Sequence, residues 1–335
     1  MGLKIISSGL LSTVQDLGRY GYQKEGVNVS GAMDAFALRV GNLLVGNAED
    51  AAGIEATFLG PRIRFETDQL IAITGGNLSP AINGEAVKMW RPILVTQGSQ
   101  LDFGAPALGC RAYLAVSGSF DIARVLGSLS TYLRGEFGGL KGRALKAGDC
   151  IPCPGPTARG QALVQHLARG AQPAAWLQAR WTPAPQLFPH LEETQTIRAI
   201  KGPEYALFEE KSHQDFWQQE FIVTSDSDRM GYRLHGPALS LTRDKEMVSS
   251  AVTFGTIQVP ADGHPIALLA DHQTTGGYPR LAQVITADFS KLAQVPLGKK
   301  IRFQEVSLEE AQYLYIRQEQ DIDQIKRSLA LKISL

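Results

Sequence analysis

Residues 266–279 have the sequence Ile-Ala-Leu-Leu-Ala-Asp-His-Gln-Thr-Thr-Gly-Gly-Tyr-Pro, and this stretch says most about the fold. Its first four residues are apolar, as in a short strand that is buried on both faces. After Ala270 come the polar residues from 271 to 275, and the glycines at 276 and 277 then mark a turn. The stretch therefore predicts a β-rich fold in which a buried strand ends in a polar loop.

Short apolar runs of the same kind recur along the whole chain, with turn signals such as Asn83-Gly84 and Asp262-Gly263 between them. The runs that we predict to be buried strands lie at residues 71–74, 93–96, 113–116, 221–224, 266–269 and 284–286. Helical patterns are few, which excludes a regular alternation of strands and helices. We therefore predict a mainly β protein with a few peripheral helices.

Two helices have clear start signals. Asp34 is expected to cap a helix whose apolar face includes Phe36, Val40 and Leu44. The sequence Ser-Leu-Glu-Glu at 307–310 is a capping box, and it predicts an amphipathic helix that continues to about Leu329.

The composition limits the classes of function. The chain has 335 residues, 33 basic and 33 acidic side chains, and 44% hydrophobic residues. A net charge of zero argues against a nucleic-acid partner, because such proteins usually carry a basic excess. No apolar stretch approaches the length of a membrane span, and the first residues lack the apolar region of a signal peptide. We therefore expect a cytoplasmic protein with neither nucleic-acid nor membrane partners.

The domain boundary is expected in residues 154–189, where Pro, Ala, Gln and Arg are mixed and the single strand-like run lies at 162–167. We predict one β-barrel subdomain over residues 1–185 and a second over residues 190–315. Residues 316–335 are predicted to form a C-terminal helical tail.

Resident metals and covalent cofactors are not expected. The six histidines are scattered without metal-ligand spacing, and the sequence has no Walker-type phosphate loop. Cys150 and Cys153 have the spacing of a redox pair, but Pro152 and Pro154 exclude the helix that such a pair needs. Lys88 resembles a biotin-attachment lysine, but the methionine that normally precedes the lysine is missing.

Four segments combine polar residues and glycines more densely than folding requires. They are residues 13–34, 127–143, 228–234 and 255–279. In the last two, Arg229 and Arg233 suit a carboxylate or phosphate, Gln273 suits an amide, and Asp271 can accept an N–H or transfer a proton. Turn glycines and structural Arg–Asp pairs are the alternative explanation for the same residues.

In that order, the four segments resemble the carboxyltransferase-like family that includes the 5-oxoprolinase C subunit, KipA-type proteins and the allophanate hydrolase subunit 2 region of urea carboxylase. The matching stretches are Thr13–Arg19, Ser30–Asp34, Asn42–Asn47, Glu55–Thr57, Gly127–Thr131, Gly138–Arg143, Asp228–Leu234, Gly255–Pro260 and Gln273–Pro279. The resemblance covers the chain from residue 3 to about residue 311.

The resemblance implies two cyclophilin-like β-barrel subdomains and a hydrolase that acts on a cyclic amide only within a complex. The partners would be the A and B subunits of 5-oxoprolinase, of which the B subunit is KipI-type, and the complex would use ATP to open 5-oxo-L-proline (pyroglutamate) to L-glutamate. One alternative is the carboxyltransferase subunit of a biotin-dependent urea or amide carboxylase, the single case that requires biotin. The other is a KipA-type regulatory antagonist of a KipI-type kinase inhibitor.

The candidate site residues come from both halves of the chain. The predicted catalytic residues are Asp271, Gln273 and Arg229. The predicted substrate-binding residues are Arg233, Gln258, Thr274, Gly276, Gly277, Tyr278, Asp16, Arg19 and Arg143. We expect the Asp271 carboxylate to lie near solvent, and Gly277 to allow a close backbone approach or a left-handed turn.

Overall fold

The computed structural model describes residues 2–169, 172, 174–243 and 247–334. Contacts within the chain divide it into two compact units. Unit 1 contains the residues up to Arg19, Ser30–Phe188 and the residues from Asp321 onward, whereas unit 2 contains Tyr20–Val29 and Pro189–Gln320. Both units consist mainly of β-strands.

The strands and helices of unit 1 are β1 (Gly2–Ser7), β2 (Leu11–Gln15), α1 (Ala35–Leu44), β3 (Gly53–Thr57), β4 (Arg62–Phe65), β5 (Gln69–Asn77), β6 (Ala81–Ile82), β7 (Glu85–Ala86), β8 (Ile93–Val95), β9 (Gln100–Asp102), β10 (Leu108–Val116), β11 (Cys150–Pro152), α2 (Ala158–Ala168) and β12 (Trp176–Gln178). Those of unit 2 are β13 (Thr194–Lys201), α3 (Glu210–Gln218), β14 (Glu220–Val223), β15 (Gly231–His235), β16 (Ser250–Ala251), β17 (Thr256–Gln258), β18 (Ile266–Leu268), β19 (Thr275–Gly276), β20 (Arg280–Val284), α4 (Phe289–Ala293) and β21 (Lys300–Glu305). A long helix, α5 (Leu308–Ser334), begins in unit 2 and ends in unit 1.

Unit 1 is built from two six-stranded sheets, in the orders β11-β1-β4-β9-β6-β7 and β12-β8-β5-β10-β3-β2. Strand β5 shows why the second sheet is buried on both faces. Ile71 and Ile73 belong to the main core of the unit, whereas Leu70 and Ala72 belong to the core that includes α1. Alternate residues of a strand point to opposite faces, so a nearly continuous apolar run fills both cores. Each of the three larger side chains, Leu70, Ile71 and Ile73, contributes roughly 2 kcal/mol of burial free energy.

Helix α1 begins as the sequence predicts. The Asp34 carboxylate accepts a hydrogen bond from the Ala37 amide at 2.9 Å, so the predicted cap is confirmed. After the helix, Gly46 has a φ of +77°, and a Cβ atom there would lie 2.5 Å from the Gly160 nitrogen. A glycine is therefore required where α1 ends against α2.

The strand-like run expected at residues 162–167 is wrong, because these residues lie in α2. Thr157 caps this helix: its hydroxyl accepts a hydrogen bond from the Gly160 amide at 3.0 Å. Leu163 is buried in the same core as α1, and Leu167 packs against that core. Helical spacing of the apolar residues therefore prevails over their short-range resemblance to a strand.

Unit 2 contains a closed barrel in the strand order β13-β20-β17-β18-β15-β14-β21. Its ends meet because β13 pairs with β21 in parallel and with β20 antiparallel. The Phe216 ring of α3 stacks on the Phe303 ring of β21 with centroids 4.5 Å apart, and both side chains are fully buried. Aromatic packing therefore attaches α3 to the barrel.

The C-terminal helix also begins at its predicted cap, where the Ser307 hydroxyl accepts a hydrogen bond from the Glu310 amide at 3.1 Å. Ile322, Ile325 and Leu329 are buried in the core that contains α1. Residues 316–334 continue the helix that begins at Leu308, so the predicted tail forms one element with the residues before it.

The predicted fold class is confirmed: the chain is mainly β with few helices, and unit 2 contains a closed barrel. The six runs predicted as strands overlap β5, β8, β10, β14, β18 and β20. The domain ranges 1–185, 190–315 and 316–335 stay a prediction. Over the residues that are described, no helix has both the length and the apolar character to cross a bilayer.

Candidate functional site

The predicted site residues of unit 1 centre on the Asp16 carboxylate. We call the segments 13–19, 30–34 and 125–142 the loop cluster. Within it, Asp16 Oδ1 accepts hydrogen bonds from the hydroxyls of Ser128 at 2.7 Å and Ser130 at 2.5 Å and from the Gly18 amide at 2.9 Å. Asp16 Oδ2 accepts the Leu129 amide at 2.6 Å. Four donors therefore stabilise the buried carboxylate, which organises the surrounding loops.

Arg19 connects the same loops through its guanidinium group. Its side chain is fully buried, and its guanidinium donates to the carbonyl oxygens of Val125 at 3.0 Å and Ser130 at 2.8 Å. The guanidinium carbon also lies 4.7 Å from the centre of the Phe137 ring. These contacts fix the path of residues 125–137.

The backbone of the loop cluster is unusually strained. Left-handed φ angles occur at Leu126, Gly127, Glu136, Gly138, Gly139, Lys141 and Gly142. A Cβ atom on Gly138 would lie 2.0 Å from the Ser130 carbonyl oxygen, and one on Gly139 would lie 1.9 Å from the Thr131 hydroxyl. Both glycines are therefore needed for packing, and each non-glycine residue in this conformation costs about 1–2 kcal/mol.

Arg143 is held by a different partner. Its guanidinium donates to both carboxylate oxygens of Asp149, at 2.7 Å each, and the Lys146 amide donates to Asp149 at 2.7 Å. The hydrogen bonds from Arg143 lower the pKa of Asp149 although partial burial opposes the shift. This pair fastens the turn before β11, as the alternative explanation of a structural Arg–Asp pair proposes.

A buried network that sequence reasoning missed supports the loop cluster. The Tyr113 hydroxyl donates to Glu55 at 2.7 Å, the Met33 amide donates to the same carboxylate at 2.9 Å, and the Asp34 amide donates to the Tyr113 oxygen at 2.8 Å. Burial, together with the negative charges of Glu55 and Asp34, raises the pKa of Tyr113 well above its usual value. The sequence feature that could have indicated this network is Glu55 itself, an acidic residue inside the strand β3, whose residues are all buried.

The predicted site residues of unit 2 centre on a buried ion pair. We call Arg229, Gln258 and residues 271–278 the barrel-end cluster. Arg229 donates from Nε to Asp271 Oδ2 at 2.9 Å and from Nη2 to Oδ1 at 3.3 Å. The Asp271 amide donates to the Arg229 carbonyl at 2.9 Å, and Asn28 donates to the Asp271 carbonyl at 2.8 Å.

The expectation that Asp271 lies near solvent is wrong, because its side chain is 6% exposed and that of Arg229 is 5% exposed. The segment after β18 continues alongside the residues that precede β15, so main-chain and side-chain hydrogen bonds both join Asp271 to Arg229. A burial of this kind is sustained only when the charges compensate each other.

Two glutamine amides belong to the same cluster. Gln258 donates to the Tyr278 carbonyl at 3.2 Å, and Gln273 donates to Gln258 Oε1 at 3.4 Å. A Cβ atom on Gly276 would lie 2.5 Å from Gln258 Nε2, whereas the nearest atom to one on Gly277 would be the Ser249 hydroxyl at 3.4 Å. A methyl group on Gly276 would therefore displace the Gln258 amide, whereas one on Gly277 would make ordinary contacts.

Neither of these glycines has a left-handed φ, so the turn expected at Gly277 is wrong. Gly276 instead lies in β19, where it pairs with Ser250 of β16 in a two-stranded ribbon. The extended conformation follows from this pairing, since ribbon residues adopt ordinary strand angles.

Arg233, Thr274 and Tyr278 complete the predicted set. Arg233 is exposed on β15, and its carbonyl oxygen accepts the Thr224 amide at 2.9 Å. Thr274 is partly buried, and its carbonyl oxygen accepts the Val252 amide at 3.2 Å, whereas the Tyr278 side chain is half exposed. Of these three residues, Arg233 is the one with a positive charge, and its exposed position leaves it open to an anion from the solvent.

His272 was missed by sequence reasoning although it lies between two predicted catalytic residues. Burial lowers its pKa, so the imidazole is neutral at pH 7. Its Nδ1 lies 2.5 Å from the Gln273 carbonyl oxygen. A carbonyl oxygen only accepts, so we assign the proton to Nδ1, which makes Nε2 the basic nitrogen.

In the part of the chain that the structure describes, His, Cys, Asp and Glu side chains nowhere form a group of three or more that could hold a metal ion. The two clusters are thus sets of hydrogen-bonding and ion-pairing groups. Such groups suit the binding of polar organic molecules and the stabilisation of charge.

Comparison with known proteins identifies the class. The chain belongs to the family of the carboxyltransferase domain, subdomain A and B, whose sequence pattern matches residues 25–305. It is 42% identical over 318 residues to the 5-oxoprolinase C subunit of Escherichia coli (strain K12), with 95% of each chain covered. It is 40% identical to the 5-oxoprolinase C subunit of Haemophilus influenzae, over 94% of this chain and 95% of that protein. The resemblance drawn from the sequence segments is confirmed.

A solved structure gives the same result for the fold. The crystal structure of the K. lactis urea amidolyase matches with a TM-score of 0.85 and 31% identity over 97% of this chain. The match covers 20% of the urea amidolyase, so this chain corresponds to about a fifth of that larger protein.

Proposed function

We propose that this chain is the C subunit of a 5-oxoprolinase, a hydrolase that opens the cyclic amide 5-oxo-L-proline to L-glutamate. The observation that carries the proposal is the 42% identity to a 5-oxoprolinase C subunit over 95% of both proteins. Because that relative is named as one subunit of its enzyme, we assign the activity to an assembly of this chain with the A and B subunits, the latter of KipI type. We place the assembly in the cytoplasm, where ATP is available.

The chemistry explains why the reaction needs several subunits. An unactivated lactam is a poor electrophile, and transfer of a phosphoryl group from ATP to the lactam oxygen would supply a leaving group. In total, one 5-oxoproline, one ATP and two waters give glutamate, ADP and phosphate. Since this chain has no Walker-type phosphate loop, we assign ATP binding to the partner proteins and propose no covalently bound cofactor here.

Within this chain, Asp271, Gln273 and Arg229 stay the predicted catalytic residues. The structure supports a division of roles among them, because Asp271 and Arg229 neutralise each other whereas Gln273 is only partly buried. We propose that the ion pair positions the loop, that Gln273 hydrogen-bonds the substrate, and that His272 Nε2 accepts a proton from the attacking water. Exposed Arg233 would bind the carboxylate or phosphate.

Reconstitution tests the proposal. The full chain, purified and then combined with the A and B subunits, is given 5-oxoproline and ATP, and glutamate and ADP are measured together. We expect both products in equal amounts from the assembly and neither from this chain alone. ATP consumption without glutamate, or glutamate formed by this chain in isolation, would contradict the proposal.

The similarity to urea amidolyase supports a second candidate, transfer of a carboxyl group from carboxybiotin to urea. The same assembly supplied with urea, carboxybiotin and a biotin carrier is expected to form no carboxylated urea. The KipA-type regulatory alternative predicts that this chain relieves the inhibition of a kinase by the KipI-type partner, and a kinase assay with that purified partner tests it.

A further inference from the structure

Two uncharged side chains in the loop cluster each have a buried polar atom with no hydrogen-bond partner among the described residues. The first is Gln15 Oε1, on a side chain that is fully buried. The amide nitrogen of Gln15 does have partners, the Thr13 hydroxyl at 3.0 Å and the Thr131 carbonyl oxygen at 3.2 Å. A buried acceptor without a partner costs about 1–3 kcal/mol.

The Thr131 contact fixes which way the Gln15 amide points. A carbonyl oxygen can only accept, so the NH₂ group of Gln15 must face Thr131. Rotating the amide by 180° would place two carbonyl oxygens against each other. The oxygen on the other side of the amide therefore needs a donor, an N–H or an O–H group.

The second group is the Ser30 hydroxyl, which is buried and has no partner among the described residues, on a residue that is 5% exposed. Ser30 has a φ of +57°, a left-handed conformation that glycine adopts without strain. A serine here therefore keeps a hydroxyl in place at the expense of backbone strain.

Gln15 and Ser30 belong to adjacent segments of the loop cluster. The Ala32 amide donates to the Asp16 carbonyl at 2.9 Å. A Cβ atom on Gly31 would lie 2.9 Å from the Gly18 nitrogen, so the two segments are in van der Waals contact. The Asp16 and Arg19 hydrogen bonds described above hold this arrangement in place.

We propose that Gln15 and Ser30 are specificity-determining residues that bind the amide edge of a small neutral ligand, with Gln15 Oε1 accepting an N–H and the Ser30 hydroxyl donating to the carbonyl oxygen. A lactam or a urea presents its N–H and C=O groups side by side on one edge. A trans amide presents them on opposite edges. The site therefore favours lactams and ureas over open-chain secondary amides. This inference rests on the proposed function to the extent that 5-oxoproline is the lactam concerned, and it assigns the amide edge of that lactam to the loop cluster in place of the Gln273 and His272 contacts proposed above.

Four variants test the proposal. Ser30→Gly removes the hydroxyl and relieves the strain, and Gln15→Met removes the acceptor while keeping the length of the side chain.

Ser119→Gly is the matched control for Ser30, since Ser119 has a φ of +61° but its hydroxyl donates to the Ala52 carbonyl at 3.0 Å. Gln69→Met is the control for Gln15, since Gln69 is a buried glutamine whose amide donates to Thr67 at 2.9 Å.

Binding of 5-oxo-L-proline and of its N-methyl derivative is measured by calorimetry on the full chain, with and without the partner proteins. We expect Ser30→Gly and Gln15→Met to weaken 5-oxoproline binding at least about tenfold, the equivalent of one lost hydrogen bond, and the controls to bind like the wild type. N-methylation should weaken binding to the wild type to a similar extent but should cause no further loss in Gln15→Met.

Absence of 5-oxoproline binding, wild-type affinity in both Ser30→Gly and Gln15→Met, or equal affinity for the N-methyl compound would overturn the inference. The comparison of 5-oxoproline with its N-methyl derivative uses the wild-type chain, so it tests the inference even if Gln15→Met does not fold. An assembly that opens 5-oxoproline with a wild-type KM in all four variants would leave the proposed function intact and remove this inference. An assembly that does not open 5-oxoproline, while Gln15-dependent binding persists, would contradict the proposed function and leave this inference intact.

Discussion

The loop cluster of unit 1 and the barrel-end cluster of unit 2 each contain a buried aspartate and a buried arginine, but they are built differently. In the barrel-end cluster, Asp271 and Arg229 compensate each other directly. In the loop cluster, Asp16 accepts from hydroxyls and amides, and Arg19 donates to carbonyl oxygens. The first is an internal ion pair, whereas the second uses two charges to hold several loops together.

The backbone shows the same contrast. All the non-glycine residues with left-handed φ angles in the described chain lie in unit 1, and none lies in unit 2. Such strain persists only where the surrounding contacts over-determine the conformation, and it is concentrated at functional sites. The comparison teaches that two polar segments with the same residue types can be built either around one ion pair or around two separate charges that hold several loops, and that left-handed backbone accompanies the second arrangement.

The largest effect is expected from removal of the arginine in the loop cluster. Arg19→Ala deletes two hydrogen bonds and the contact with Phe137 at a fully buried position, so we expect a loss of about 4 kcal/mol or more in unfolding free energy. Arg143→Ala breaks a partly exposed ion pair and should cost at most about 1 kcal/mol. Urea unfolding of both variants measures the difference, and equal losses would show that Arg19 does not organise the cluster.

In the barrel-end cluster, Asp271→Asn reduces the charge compensation of a buried guanidinium. We expect a loss of about 3 kcal/mol in unfolding free energy and, in the folded assembly, a fall in turnover of about 10²-fold because the loop that the ion pair positions is displaced. The double variant Asp271→Leu with Arg229→Met should recover most of the stability without recovering the activity. An Asp271→Asn variant with wild-type stability and turnover would refute the assigned ion-pair and positioning roles.

Two neighbouring glycines separate packing from conformation. Gly276→Ala places a methyl group against the Gln258 amide, so we expect a loss of about 1–2 kcal/mol in unfolding free energy and a weaker Gln258–Tyr278 hydrogen bond. Gly277→Ala meets only ordinary contacts and has no left-handed φ to strain, so it should change stability by less than about 0.5 kcal/mol. The opposite order in thermal unfolding would contradict the described ribbon.

The last expected effect is the pH dependence of stability. Burial lowers the pKa of His272 below its usual 6.5, so the unfolded state binds more protons as the pH falls from that value. Stability should therefore decrease below pH 6.5, by at most about 1.4 kcal/mol per pH unit for one proton. The pKa of Asp149 is also lowered, and its contribution is lost only as the pH falls below the usual 3.8.

His272→Gln should remove the decrease below pH 6.5 that urea titrations detect, whereas Arg143→Ala should leave it unchanged. A decrease of unchanged size in His272→Gln would show that this histidine is not the buried neutral group.

Local signals in the sequence were enough for the helix starts and the main strands. Asp34 and Ser307 cap amides that lie three residues after them. The apolar runs around Ile71 and Ile266 form strands, because a strand that is buried on both faces has a nearly continuous run of apolar residues. The family could also be recognised, since its polar segments keep their order along the chain.

Contacts between distant residues could not be predicted in this way. Arg229 and Asp271 are 42 positions apart, and Glu55 and Tyr113 are 58 positions apart, so no local spacing links them. The unpartnered oxygen of Gln15 depends on Thr131, which is 116 positions away. The sequence identified the residue types of the candidate site, whereas burial and pairing determine which of them support the loops and which are available to a ligand.

Omission of this chain from the assembly tests the central claim most directly. Glutamate formation from 5-oxoproline and ATP is measured with the A and B subunits at fixed concentration while this chain is titrated from zero. We predict no glutamate without the chain and a rate that rises until the chain reaches a fixed ratio to its partners. Full activity of the two partners alone, or a rate that does not respond to this chain, would contradict the assignment as a 5-oxoprolinase subunit.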